Sequence, residues 1–155
     1  HGMLALTQHP DQKQLWLDAF DAHADSAVEE IIRWSTPVIH FRRTATRDTE
    51  IGGKAIKEGD KVVTWFAAGN RDLEVFTNPY EMDVTRSPNE HMAFGRGGPH
   101  MCLGNALARL EIRIMFEDLL PRITGMARTG EVSKLRSNFV NGIKRFPVSV
   151  QLATP

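Results

Sequence analysis

Cysteine is almost absent from this sequence: Cys102 is the only one in 155 residues. No intrachain disulfide can form, which fits a reducing, cytoplasmic setting. Charge of one sign is also missing. The 19 Lys and Arg balance 19 Asp and Glu, so nothing points to nucleic acid or an anionic membrane surface as partner. No apolar run approaches the roughly 20 residues that a bilayer span needs. Repeats, low-complexity tracts and linkers are absent as well. A Met at position 1 is missing, and the opening HGMLALTQHP is already inside an apolar helical pattern. The chain is therefore read as part of a longer protein whose N-terminal portion is not included. What is present, a hydrophobic fraction of 41%, suffices for one domain with a core.

Periodicity predicts helix over residues 1–8, stopped by Pro10, and again over residues 11–20 with Leu15, Trp16 and Phe20 on the apolar side. A stronger helix is read in ADSAVEEIIRWSTP, with Ser26 and Glu29 as a capping box and Val28, Ile31 and Ile32 as its apolar face. Pro37 ends it. Extended structure follows. PVIHFRRTATRD favours a strand, Gly52-Gly53 a two-residue hairpin turn, and Glu58-Gly59 a second turn before another strand. Trp65 and Phe66 read as core. Residues 73–99 have no regular pattern, and so long an irregular stretch is either functional or held by something. Helix is predicted from Cys102, with Leu103, Ala106, Leu107, Leu110 and Ile114 at helical spacing. The tail suggests two strands joined near Asn141-Gly142.

The stretch FGRGGPHMCLGNALARLE places the single cysteine between a glycine-rich loop and that helix. At a helix start, unpaired N–H groups and the positive end of the macrodipole favour thiolate over thiol. Gly95, Gly97, Gly98 and Gly104 would let a large flat ligand approach the backbone. These features suit a thiolate metal ligand. Zinc is a poor fit, because His100 alone cannot complete its ligand set. Haem needs one proximal protein ligand, and Cys is one of the known choices. A buried core cysteine, or a catalytic thiol with His100 as base, are the other readings of Cys102. A phosphate cradle is disfavoured, since the Lys-Ser/Thr of a P-loop is missing.

Phe94-Gly95, Gly97-Gly98, His100, Cys102 and Gly104, followed by ALARLE, resemble the haem-binding loop of the cytochrome P450 family. The loop here has one more residue between Phe and Cys than the commonest form, and is similar to a bacterial subset that hydroxylates lipids and sterols. Glu30-x-x-Arg33 resembles the family's Glu-x-x-Arg pair, Arg86 stands where the third member of that triad falls, and Arg43, in FRRTA, stands where a haem-propionate contact falls. The likeness runs over essentially the whole chain but covers only the C-terminal part of the family's fold.

The resemblance implies a fold that is mainly α with small antiparallel β-sheets, residues 1–155 forming the C-terminal part of a P450 domain. It implies haem b (heme b) with Cys102 as the metal ligand, and Arg43, His100, Phe94, Gly95 and Gly104 as further cofactor contacts. Glu30, Arg33 and Arg86 would be a structural triad, and Val38, Ile39, Phe41, Val140 and Ile143 candidates for touching substrate. The implied activity is a monooxygenase that inserts one oxygen atom of O2 into a C–H bond of an apolar substrate such as a sterol or fatty acid, with electrons from a ferredoxin-type partner. The alternative is a haem-thiolate binding or sensing protein without oxygenase activity. The family's proton-delivery residues lie upstream of His1, and Thr7 is not one of them, so no catalytic residue is assigned.

Overall fold

The computed structural model describes residues 1–153. Three helices run in series: α1 (Gly2–Gln8), α2 (Pro10–Asp18) and α3 (Phe20–Ser35). Pro10 opens α2 in the first turn, where its missing N–H has no helical partner to lose. Trp16 is fully buried, stacked on Phe20 and tilted against Phe116. Leu15, expected on the same side, is exposed, and Phe20 belongs to α3 rather than α2.

The capping box read at Ser26 and Glu29 does not form. Packing of Phe20 on Trp16 carries the helix further upstream, so Ser26 lies inside α3. Its hydroxyl donates to the carbonyls of His23 (3.1 Å) and Val84 (2.6 Å) instead. α3 ends at Thr36, whose φ of 40° lies in the left-handed region and so strains a β-branched residue. Asn70 holds it there by donating from Nδ2 to Thr36 Oγ1 at 2.8 Å.

Strand β1 (His40–Thr44) pairs antiparallel with β4 (Lys61–Trp65); between them lies the hairpin of β2 (Thr49–Ile51) and β3 (Lys54–Ile56). Gly52 and Gly53 form its turn, both at positive φ, as the sequence predicts. A short helix, α4 (Phe66–Gly69), leaves β4. Phe66 is buried, but Trp65 is exposed and stacks on His40, so the reading of Trp65 as core is corrected. Alternation along a strand sends adjacent residues to opposite faces, which separates the two.

Residues 70–104 contain no strand and no further helix. The last helix, α5 (Asn105–Leu119), starts three residues later than predicted. Cys102 lies in the preceding turn, where its carbonyl accepts hydrogen bonds from Asn105 N (3.3 Å) and Asn105 Nδ2 (2.6 Å). The stripe read as the apolar face is the uncovered one: Leu103 is 100% exposed, and Leu107, Leu110 and Ile114 are exposed too. α5 meets the core through Phe116 and Ile112.

Four two-stranded antiparallel sheets form in all among the described residues. The tail departs from expectation. Strand β5 (Ile123–Arg128) pairs with β8 (Val148–Leu152), and β6 (Ser133–Lys134) with β7 (Ile143–Arg145). Asn141-Gly142 is not a tight hairpin turn. Asn141 is tied to the end of α3 instead, donating from Nδ2 to the Ser35 carbonyl (2.6 Å) and from N to the Pro37 carbonyl (2.9 Å). The main core joins Leu6, Trp16, Ile31, Val84, Phe116 and Leu120. A smaller cluster of Val28, Ile32 and Ala93 lies behind Phe94.

Candidate functional site

A buried charge network pins the irregular segment to α3. Glu30 and Arg33 are both fully buried, and the guanidinium grips the carboxylate through Nε (2.7 Å) and Nη2 (2.6 Å). The fork geometry matches the two oxygens, which makes such a pair directional as well as strong. Arg33 also donates to the carbonyls of Asn70 (2.8 Å), Pro79 (2.8 Å) and Glu81 (3.2 Å). Glu30 accepts from Asp83 N (3.0 Å), Asn89 Nδ2 (2.9 Å) and Arg86 Nε (3.2 Å). Arg86 in turn spans the carbonyls of Thr77, Asn78 and Glu81. The structure thus brings Glu30, Arg33 and Arg86 together, and their partners are backbone groups of the segment that has no ladder of its own.

This segment leads to the glycine loop. Gly95, Gly97 and Gly98 all have positive φ, a conformation that side chains disfavour. The loop closes where Cys102 N donates to the Phe94 carbonyl at 2.9 Å. Above it lies a cavity of about 440 Å³. Phe41 and Arg43 reach it from one face of β1, since alternate residues share a face. Val38, Phe66, Phe94 and Gly95 form other parts of its wall, and His100 and Cys102 complete it; Cys102 is exposed. Of the residues singled out in the sequence, Val38, Phe41, Arg43, Phe94, Gly95, His100 and Cys102 therefore meet at one cavity. Ile39, Val140, Ile143 and Gly104 are not in its lining. Val140 bridges Val38 from the side, and Gly104 serves as the N-cap of α5.

Sequence reasoning missed two sets of contacts, and read Glu29 only as a cap residue. Asn70 is fully buried; besides holding Thr36, it accepts from Met92 N (2.6 Å) through Oδ1. Glu29, next to Glu30, accepts from His91 Nε2 (2.8 Å) and is clasped by Arg109 through Nε and Nη2. Neither pattern leaves a local signal, because the partners are more than 20 residues away in the chain. Burial pushes the Glu29 carboxyl up, but hydrogen bonds from His91 and Arg109, with their charges, outweigh it and hold the group at about 2.

That depression has a definite sign. A carboxyl held at about 2 against an ordinary 4.5 contributes stability that is fully present above pH 4.5 and is lost as pH falls toward 2. Glu29→Gln is expected to be less stable than wild type at neutral pH, with the difference closing across that window. Urea melts of both proteins at a series of pH values measure this; a difference constant down to pH 2 would refute the linkage.

The fold and cavity define a mainly helical protein that presents one cysteine, on a glycine loop, to an apolar-walled cavity with cationic side chains at it. The family model for cytochrome P450 matches residues 23–146, and the chain belongs to the cytochrome P450 family. It is 46% identical over 149 residues to a methyl-branched lipid omega-hydroxylase of Mycobacterium tuberculosis, covering 96% of this chain and 35% of the relative. It is 42% identical to a steroid C26-monooxygenase of Rhodococcus jostii, covering 99% and 32% respectively. Among solved structures, a Mycobacterium marinum cytochrome P450 in complex with pseudoionone superposes with a TM-score of 0.92 at 45% identity, over 96% of this chain and 36% of that one. The chain spans about a third of the length of the curated relatives it matches. Among the described residues, no helix is long and apolar enough to cross a membrane.

Proposed function

We propose that this chain is the C-terminal part of a P450 domain, in a haem-thiolate monooxygenase that hydroxylates an apolar substrate. The observation that carries the reading is the meeting of Cys102, Arg43 and His100 at one largely apolar cavity. This donor set fits a flat apolar macrocycle with two carboxylates: one sulfur to hold the iron, and two side chains with N–H groups for the carboxylates. The space around the loop fits too, since a Cβ added at Gly97 or Gly98 would meet nothing within 4 Å. Haem b, when bound, supplies the iron chemistry that activates dioxygen.

The chain's own residues do the rest. Cys102 would hold the iron through its sulfur. Arg43 and His100 would bind the propionates. Phe41, Phe66 and Phe94 keep water from the cavity walls. Arg43 is held in place over the Phe41 ring, 5.5 Å from its centroid. Electrons come from a ferredoxin-type partner in the cytoplasm.

Of the residues read as touching substrate, Val38 and Phe41 line the cavity and are assigned to the substrate. They offer burial, at roughly 25 cal/mol per Å², and nothing to hold a charge. A sterol or a long branched fatty chain suits such a wall, and the two relatives named for lipid and steroid oxidation support that class. Titration of the haem-loaded protein, followed by the haem spin-state change, tests it. Branched-chain lipids or sterols are expected to move the spectrum where small polar compounds do not. Tight binding of the polar compounds alone would overturn the substrate class while leaving the haem assignment intact.

A further inference from the structure

We propose that Glu29, His91 and Arg109 form a latch that positions Cys102, with Arg109 as the positioning residue; this rests on the reading of Cys102 as the haem ligand. Glu29 and Glu30 are consecutive on α3, so their side chains leave the helix about 100° apart. Glu30 enters the network of Arg33 and Arg86. Glu29 turns instead to α5 and to the end of the irregular segment, where the Arg109 fork clasps its carboxylate and His91 Nε2 donates to it. His91 Nδ1 accepts from Ala93 N at 3.3 Å, so the ring is held at both nitrogens.

Arg109 then reaches Cys102 by two routes. Its Nη1 donates to Asn105 Oδ1 at 2.9 Å, and Asn105 Nδ2 donates to the Cys102 carbonyl at 2.6 Å. Its guanidinium also lies 4.7 Å from the centroid of the Phe94 ring, and the Phe94 carbonyl accepts from Cys102 N at 2.9 Å. Both main-chain polar groups of Cys102 are thus held by residues that touch Arg109. The His91 ring, 5.9 Å from that of Phe94, supports the same ring. A second ion pair across these helices gives the contrast. Arg113 meets Asp25 at 2.7 Å, but Asp25 is 92% exposed and the pair makes no hydrogen bond to the loop. A simple tie between α3 and α5 would be served by either pair; only Arg109 connects to the loop.

The test is hydrogen exchange of the peptide bearing Cys102, in haem-loaded protein and in the haem-free chain, for Arg109→Gln, Asn105→Ala and Arg113→Gln. Removing either side chain of the route costs about one net hydrogen bond, so Arg109→Gln and Asn105→Ala should each accelerate exchange at Cys102 by about tenfold. Arg113→Gln should leave it unchanged. Arg109→Lys keeps the charge but loses the fork, and should recover only part of the protection. In the haem-loaded protein, Arg109→Gln should also shift the Soret band of the ferrous carbon-monoxide complex away from its thiolate position. Equal acceleration by Arg109→Gln and Arg113→Gln would reduce the latch to a helix tie and overturn the proposal, as would unchanged exchange in Arg109→Gln. Should Arg109→Gln fail to fold, Asn105→Ala decides by the same criterion. A wild type with no thiolate-type Soret band would sink the haem reading by itself, while the exchange of the haem-free chain still decides the positioning of Cys102.

Discussion

Cys102→Ala is expected to abolish the red-shifted Soret band of the reduced carbon-monoxide complex. No second cysteine exists to replace the sulfur. Of the other side chains at the cavity, His100 and Met92 are the ones able to bind iron at all, and neither supplies a thiolate. The spectrum of any haem that still binds must therefore change character, rather than weaken. Folding should survive. The side chain is exposed, so its truncation is a surface change worth about 0.5 kcal/mol or less, and the main-chain bond to Phe94 does not depend on it. Thermal melts of the haem-free chain separate the two effects. A variant that melts like wild type and keeps its spectrum would remove Cys102 from the iron.

The part of the site that the sequence displays is the part built from neighbours in the chain. Phe94 to Gly104 is one continuous stretch, and Glu30 and Arg33 lie one helical turn apart, so composition and spacing are enough to bring them to notice. The Gly52-Gly53 hairpin is legible for the same reason: its turn demands positive φ at adjacent positions. What spacing conceals is which side of an element is covered. The leucine stripe of α5 has helical periodicity, yet the described chain packs Phe116 and Ile112 and leaves the leucines exposed. Periodicity identifies an amphipathic helix but not what lies against it. Ser26 and Asn141 mislead in a related way. Each has a local signal, a cap and a turn, and each is diverted by a long-range hydrogen bond, to Val84 and to Ser35. The contacts of Glu29, Asn70 and Arg109 give no local signal: Glu29 reads as a cap residue, and the true partners come together only in the folded chain.

Glu30→Ala is expected to cost the cooperative fold, by about 3–5 kcal/mol, the usual penalty for stranding one member of a buried ion pair. Against a total stability of about 5–15 kcal/mol for a domain, that is a third or more. The geometry argues for the upper end. Loss of the carboxylate strands Arg33 Nε and one Arg33 Nη2 hydrogen in the fully buried part of the network, and takes a partner from Asp83 N, Asn89 Nδ2 and Arg86 at its part-buried edge. Arg33→Lys should not rescue the opposite deletion. A single ammonium cannot serve the Glu30 fork and the carbonyls of Asn70, Pro79 and Glu81 together. Replacing both members with apolar residues is the sharper test. Where a buried pair bonds only to itself, such a replacement is often neutral or stabilising. Here the partners are mostly backbone groups of a segment with no ladder of its own, so Glu30→Leu with Arg33→Met would leave the Pro79 carbonyl and Asp83 N without a partner and take one bond each from the Asn70 and Glu81 carbonyls, Asn89 and Arg86. The double variant should therefore remain well below wild type in urea melts. Stability equal to wild type would mean that the pair does not hold the segment leading to Cys102, and the structural role assigned to Glu30, Arg33 and Arg86 would fall.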